Sequence, residues 1–293
     1  MSATLNRKAW AIATPTTTTC SGNLFLKSYI RNRFPLNMSE ELKKVRVSCV
    51  SYLNSKLFLY GLQNHPIQDE IELSLDHPRE CAEKLMSGKA DIGLVPVASL
   101  LRIPGYRIIT NKCIGADGAV RSVMLFSRVP LEQIETILLD YQSMTSVNLC
   151  KVLCEEHWNI NPVFRDALPG YEKTINGTTA AVIIGDRALE LLTTFEYAYD
   201  LAENWKQHTG LPFVFACWAS SRQLEDNFIE QFDDALELGL KNMEAVLLQE
   251  TKSNPSYMHT LPDYLQHNLV FRMDERFERG RKLFLERLES RYT

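Results

Sequence analysis

The side chains that stand where chemistry could happen in this sequence are mostly polar and uncharged. Asn54 sits in Ser51-Tyr52-Leu53-Asn54-Ser55, directly after an apolar run at 45–50. An amide at that point can both donate to and accept from a ligand held beyond the strand, and it serves equally as a turn residue capping the next helix. Ser143-Met144-Thr145-Ser146 follows a second apolar run and opens a helical pattern. Free N–H groups and the positive end of a helix suit a carboxylate, and the same hydroxyls are ordinary N-caps. Gly115-Ala116-Asp117-Gly118 leads into Ser122. Such a loop lets backbone approach a ligand closely, as it also lets a hairpin turn. Asp186 closes Ile184-Gly185-Asp186 after a fully apolar strand, where an acid or base and a helix cap are both readable.

Familiar catalytic signatures are missing. No dinucleotide glycine motif, P-loop, H-E-x-x-H or G-x-S-x-G occurs. The six histidines are isolated from one another, and the seven cysteines form no C-x-x-C pair. Cys150 and Cys154 are four apart in a helical pattern and read as packing. No metal and no cofactor is expected, and the thiols read as reduced, in the cytosol.

The elements that must position these residues come from periodicity. Strands are expected at 45–50, 70–75, 91–95, 106–114, 120–127, 136–140, 163–165, 179–184 and 213–219. Helices are expected at 56–63, 78–86, 97–102, 145–157 and 187–192, then in a tail at 224–249, 257–265 and 274–291. Alternating strands and helices imply an α/β fold with mostly parallel sheets. Two such units connected by crossovers imply two lobes with a ligand cleft between them: residues 45–127 with 213–293 in the first, 128–212 in the second. The first crossover is expected after Ser127. Open α/β sheets bind ligands beyond the carboxyl ends of their strands, so two facing lobes enclose a small molecule.

Length and composition agree. The 293 residues are 45% hydrophobic and 23% charged, with a net charge of −4; this suits a globular two-lobed chain and favours neither nucleic acid nor an anionic membrane. No window approaches the ~18 apolar residues that cross a bilayer. Residues 1–37 differ: they hold five basic residues, no acidic ones and the run Thr16-Thr17-Thr18-Thr19. They read as a misassigned start with Met38 the true first residue, as a disordered tail, or as something like an organellar transit peptide. They contain no secretory h-region.

Taken in order, several pieces resemble the chorismate dehydratases of menaquinone biosynthesis by the futalosine route. They are Ser51-Tyr52-Leu53-Asn54, Gly88-Lys89-Ala90-Asp91-Ile92-Gly93-Leu94-Val95-Pro96, Gly118-Ala119-Val120-Arg121-Ser122-Val123, Thr145-Ser146-Val147, Ile184-Gly185-Asp186, and Trp205 through Thr209-Gly210-Leu211-Pro212-Phe213-Val214-Phe215-Ala216. The resemblance spans 45–287. It implies a two-lobed, type II periplasmic-binding-protein-like fold with a helical C-terminal tail. It also implies conversion of chorismate to 3-(1-carboxyvinyloxy)benzoate and water, with Asn54 and Ser122 as the catalytic pair. Ser51, Ser143, Thr145, Ser146 and Asp186 are then expected to bind substrate, and the protein to be a monomer or homodimer. Two stretches depart from the family: Lys56-Leu57, where proline is usual, and Asp140-Tyr141-Gln142-Ser143, where glycine or serine is commoner. The rival readings are a dihydroxynaphthoate synthase of the same pathway, a carboxylate-binding protein, and the effector domain of a regulator.

Overall fold

The computed structural model describes residues 44–292. Residues 1–37, with their expected disorder or misassigned start, lie outside them. The chain begins with β1 (Val45–Val50), a 3-10 turn (Leu53–Ser55) and α1 (Lys56–Asn64). β2 (Ile71–Asp76), α2 (Pro78–Met86) and β3 (Ile92–Pro96) follow, then a 3-10 helix (Val97–Arg102) and β4 (Arg107–Ala116). β5 (Val123–Ser127), β6 (Thr136–Leu139), α3 (Thr145–Glu156), β7 (Val163–Asp166) and β8 (Thr179–Ile184) form the middle of the chain, with α4 (Asp186–Glu190), β9 (Tyr197–Asp200) and α5 (Leu201–Thr209). β10 (Phe213–Ser220) leads into α6 (Asp226–Lys241), α7 (Met243–Ser253), α8 (Leu261–Asp263), a π-helical turn (Tyr264–Asn268), β11 (Val270–Arg272) and α9 (Glu275–Tyr292).

Two sheets result. The first has the order β11-β4-β10-β3-β1-β2 and the second β7-β6-β8-β5-β9. Both are mixed rather than mostly parallel. β1 lies parallel between β2 and β3, and β6 parallel between β7 and β8, but every pairing of β4, β5 and β10 is antiparallel. The reason is connectivity: a strand reached by crossing from the other sheet, as β5 and β10 are, enters from the opposite end, and β4 is antiparallel to its neighbours β10 and β11. β5 is one such strand. It pairs with β8 and β9, so the first crossover runs through 117–122 and Val123–Ser127 belongs to the second sheet, not the first.

β3 and β10 are buried along their whole length, because helices or further chain cover both sheet faces; this is why they read as continuous apolar runs. Trp218 packs edge-on against Phe58 and Phe232, and Trp205 against Phe213 and Phe284. α1 crosses α6 backbone to backbone at Gly61 and Gly239. A Cβ on Gly61 would lie 1.9 Å from the Ala235 carbonyl oxygen, and one on Gly239 1.8 Å from that of Leu57. This crossing anchors the turn that carries Asn54.

The tail departs from expectation. The single helix expected at 224–249 is two, broken at Asn242, whose side-chain amide donates to the Leu238 carbonyl at 2.7 Å and so takes over a helix-terminal acceptor. β9 and α5 were not expected. α5 starts at Asp200, whose carboxylate accepts from the Ala202 and Glu203 N–H groups, the ordinary chemistry of an N-cap.

Candidate active site

β1, β3 and β8 end at one cavity, closed on a further side by the first turn of α3 and by the crossover that leads into β5. It is a slot with about 530 Å³ of empty space, counting its open mouth. None of its lining residues is acidic, basic or histidine. The polar side chains that face it are Tyr52, Asn54, Ser122, Thr145 and Ser146, set among Val50, Pro96, Ile114, Ile184 and Phe215.

Four of the seven residues expected from the sequence therefore meet here: Asn54, Ser122, Thr145 and Ser146. Ser51, Ser143 and Asp186 do not line the cavity. Ser51 is exposed beside the end of β2, its N–H donating to the Asp76 carbonyl. Ser143 is buried, and its hydroxyl accepts from the Ser146 N–H at 3.0 Å, capping α3. Asp186 stands one residue behind the lining Gly185 and accepts from the Leu53 N–H at 3.1 Å. Burial pushes its carboxyl up to about 6, against the Leu53 N–H, which favours the charged form.

Ser122 is held from several directions. Arg121 before it has φ of +62°, a left-handed conformation unusual for a side-chain-bearing residue. The Asp200 carboxylate holds Arg121 there through its N–H at 2.6 Å. The Ser122 carbonyl accepts from the Gly185 N–H at 2.8 Å, and the Ser122 hydroxyl accepts from the Tyr264 hydroxyl at 2.7 Å. A strained residue fixed by neighbouring elements next to a cavity-facing hydroxyl is a common mark of a functional site.

Across the slot, the Thr145 hydroxyl accepts from the Ala98 N–H and donates to the Phe215 carbonyl, both at 3.1 Å. It seats α3 on the first sheet and has no proton left for a ligand. The Ser146 hydroxyl makes no hydrogen bond among the described residues, and it lines the cavity. Donation to a ligand from this helix start thus falls to Ser146 and to backbone N–H groups.

Charge lies just outside the slot. Arg187 pairs with Asp140 at 2.6 Å and also reaches Glu172 and the Gln142 amide oxygen. The Asp140 side chain is wholly buried, and it accepts as well from Tyr171 at 2.7 Å and from the Gln142 N–H at 2.8 Å. Burial works against the Arg187 charge, but Asp140 and Tyr171 outweigh it and raise the guanidinium pKa. The cluster fixes Gln142, whose amide oxygen accepts from the Tyr52 hydroxyl at 2.6 Å. Tyr52 follows the first sheet and Gln142 the second, so this bond spans the mouth. The Tyr52 ring also lies over Gly185, where a Cβ would come within 3.0 Å of it and where φ is +67°. Sequence reasoning passed over Tyr52, Gln142 and Tyr264; only Tyr52 carried a signal, its place in the loop after β1.

A family model described as menaquinone biosynthesis matches residues 45–290. A chorismate dehydratase from Thermus thermophilus is 29% identical, the match covering 72% of this chain and 84% of that one. Among solved structures, protein AF1704 from Archaeoglobus fulgidus superposes with a TM-score of 0.70 at 15% identity, over 86% of this chain and 99% of that one. The alkanesulfonate-binding protein SsuA from Xanthomonas axonopodis gives a TM-score of 0.58 at 13% identity, covering 85% and 92% of the two chains. The CA3427 product of Candida albicans, described as having the generic periplasmic-binding-protein fold, gives 0.56 at 13% identity, over 84% and 90%. The fold is periplasmic-binding-protein-like, as expected. No helix among the described residues is long and apolar enough to cross a membrane.

Proposed function

This chain belongs to the menaquinone-biosynthesis family, and from that membership we propose that it is a lyase converting chorismate to 3-(1-carboxyvinyloxy)benzoate and water. The observation that carries this reading is the slot itself, lined by hydroxyls and an amide with no acid, base or histidine. The reaction suits such a lining. The C–H of the ring carbon that bears the enolpyruvyl ether breaks, its electron pair forms the new ring double bond to the adjacent carbon, and the C–OH bond of that adjacent carbon breaks. The proton and hydroxide leave as water. The product ring is aromatic, so the step runs strongly downhill and needs orientation and charge stabilisation more than a powerful base.

The proton lost is vinylogous to the ring carboxylate, so negative charge flows onto that carboxylate as the bond breaks. Donors aimed at it stabilise the transition state more than the ground state. In this reading Ser122 and nearby N–H groups meet one carboxylate, and Ser146 with the start of α3 meets the other. Asn54 faces the reacting carbons and holds the departing hydroxyl. The substrate's own enolpyruvyl carboxylate takes the proton. Asp186, engaged with Leu53 behind the lining, is a clasp between the two sheets' loops and not the base. The Thermus relative supports the substrate class by its name. The cytosol as the place of work belongs to the same reading.

The test is to mix the full chain with chorismate, without added metal or cofactor, and follow products by liquid chromatography with mass detection. Loss of one water to give the enolpyruvyl benzoate is the expected result, with kcat/KM falling about 100-fold or more in Asn54→Ala. Intact chorismate beside folded protein contradicts the reading. An Asn54→Ala protein with unchanged kcat/KM contradicts the role of Asn54.

A further inference from the structure

Tyr264 is a residue that neither the cavity lining nor the sequence motifs single out. It stands at the first position of the π-helical turn after α8 and is 1% exposed. Its hydroxyl donates to the Ser122 hydroxyl at 2.7 Å. The Asn54 side chain lies beside the same phenol. Burial raises the phenol pKa, so the proton stays on it. The turn is fastened to the crossover at a second point, where the Asn268 side chain donates to the Ala119 carbonyl at 3.0 Å.

These bonds leave few choices. A serine hydroxyl has one proton and two acceptor lone pairs. When the phenol proton fills one lone pair, the serine proton must find its acceptor elsewhere, and the open direction is the slot that Ser122 lines. Tyr264 and Ser122 come from different elements, and the bond between them joins the turn after α8 to the crossover.

Resting on the dehydratase reading above, we propose that Tyr264 is a positioning residue of the elimination: its donation to Ser122 Oγ turns the serine proton into the slot, toward the substrate carboxylate. It touches no substrate. Its contribution passes through Ser122, so it vanishes when that hydroxyl is absent.

The experiment is a double-mutant cycle on the full chain with Tyr264→Phe, Ser122→Ala and the combination, each measured for kcat, KM and thermal midpoint. Tyr264→Phe is expected to lower kcat about 10- to 100-fold with KM within about threefold, the worth of one hydrogen bond to developing charge. Ser122→Ala is expected to lose at least as much, and the combination no more than Ser122→Ala alone, within about twofold. Tyr264→Phe at wild-type kcat overturns the proposal, and so do two losses that multiply, which is what a merely structural tyrosine gives. Should Tyr264→Phe fail to fold, 3-fluorotyrosine at 264 keeps the packing and makes the phenol more acidic. A changed kcat then supports the role, and an unchanged one overturns it. A wild-type chain that leaves chorismate intact sinks the dehydratase reading, whereas an active wild type with multiplying losses sinks only the role of Tyr264.

Discussion

The two sides of the slot are built from opposite materials. On one side stand the neutral groups of Asn54, Tyr264 and Ser122, with Ser122 and Tyr264 fully buried and hydrogen-bonded to each other. On the other, Arg187, Asp140, Glu172 and Gln142 form a charged cluster around the loop before α3. The neutral side turns an amide and a hydroxyl into the slot from a rigid frame, and Ser146 faces them from the start of α3. The charged side spends its interactions on itself and on Tyr52. A buried ion pair is weak evidence for stability but breaks at high cost when one partner goes. The strong electrostatics here accordingly hold the geometry, and the chemistry is left to dipoles that need no reorganisation as charge develops.

Cutting each side separately sharpens this contrast. The largest effect is expected from Arg187→Met. It leaves the Asp140 carboxylate buried with only the Tyr171 and Gln142 donors, and stability should fall by about 3 kcal/mol, the low end for a broken buried pair. Urea unfolding followed by fluorescence reads this; an unchanged midpoint would mean that the cluster holds nothing. Smaller is Tyr52→Phe, which keeps the ring over Gly185 but loses the bond to Gln142. One neutral hydrogen bond across the mouth corresponds to a KM raised about 3- to 10-fold with kcat within about twofold. A fall in kcat alone would move Tyr52 to the reactive side. Smallest is Asp186→Asn. The native carboxyl pKa near 6 lies above the ordinary value of 3.8, so the folded state holds the proton more tightly between those values. Stability therefore falls as pH rises through that window, and the cost of the buried charge is full above about pH 6. Asparagine still accepts from Leu53 and removes that cost. The thermal midpoint should rise by about 2–4 °C at pH 8 and stay level at pH 4. A loss of stability at pH 8 would show the charge itself to be the clasp.

How much of this was legible follows the same division. Asn54, Ser122 and the start of α3 were readable because polar residues directly after or before apolar strands must sit at a sheet edge, where open α/β folds place ligands. The order of short motifs then carried the family and its fold. The pairing of β5 was not readable, since five buried residues in a row say nothing about which sheet accepts them. Asp200 and Glu203 are spaced as a helix cap, a local signal that marks the start of α5. Tyr264 offers no local sign, because a tyrosine between Leu261 and Leu265 in a short helical stretch has the pattern of core, and its partner Ser122 lies 142 residues away along the chain. Ser143 and Asp186 were recognised as polar residues in the right loops, but capping α3 and holding Leu53 absorb them. Spacing alone gives the same pattern for a cap and for a ligand contact.

The central claim, that the neutral side carries the reaction and no protein carboxylate acts as base, is tested most directly by the pH dependence of kcat/KM for chorismate between pH 5 and 9, in the wild type and in Asp186→Asn. The account predicts a profile without an inflection near pH 6, the value to which Asp186 is raised, and superimposable curves for the two proteins. A rate that falls below about pH 6 in the wild type, and is lost at every pH in Asp186→Asn, would make Asp186 the base and contradict it.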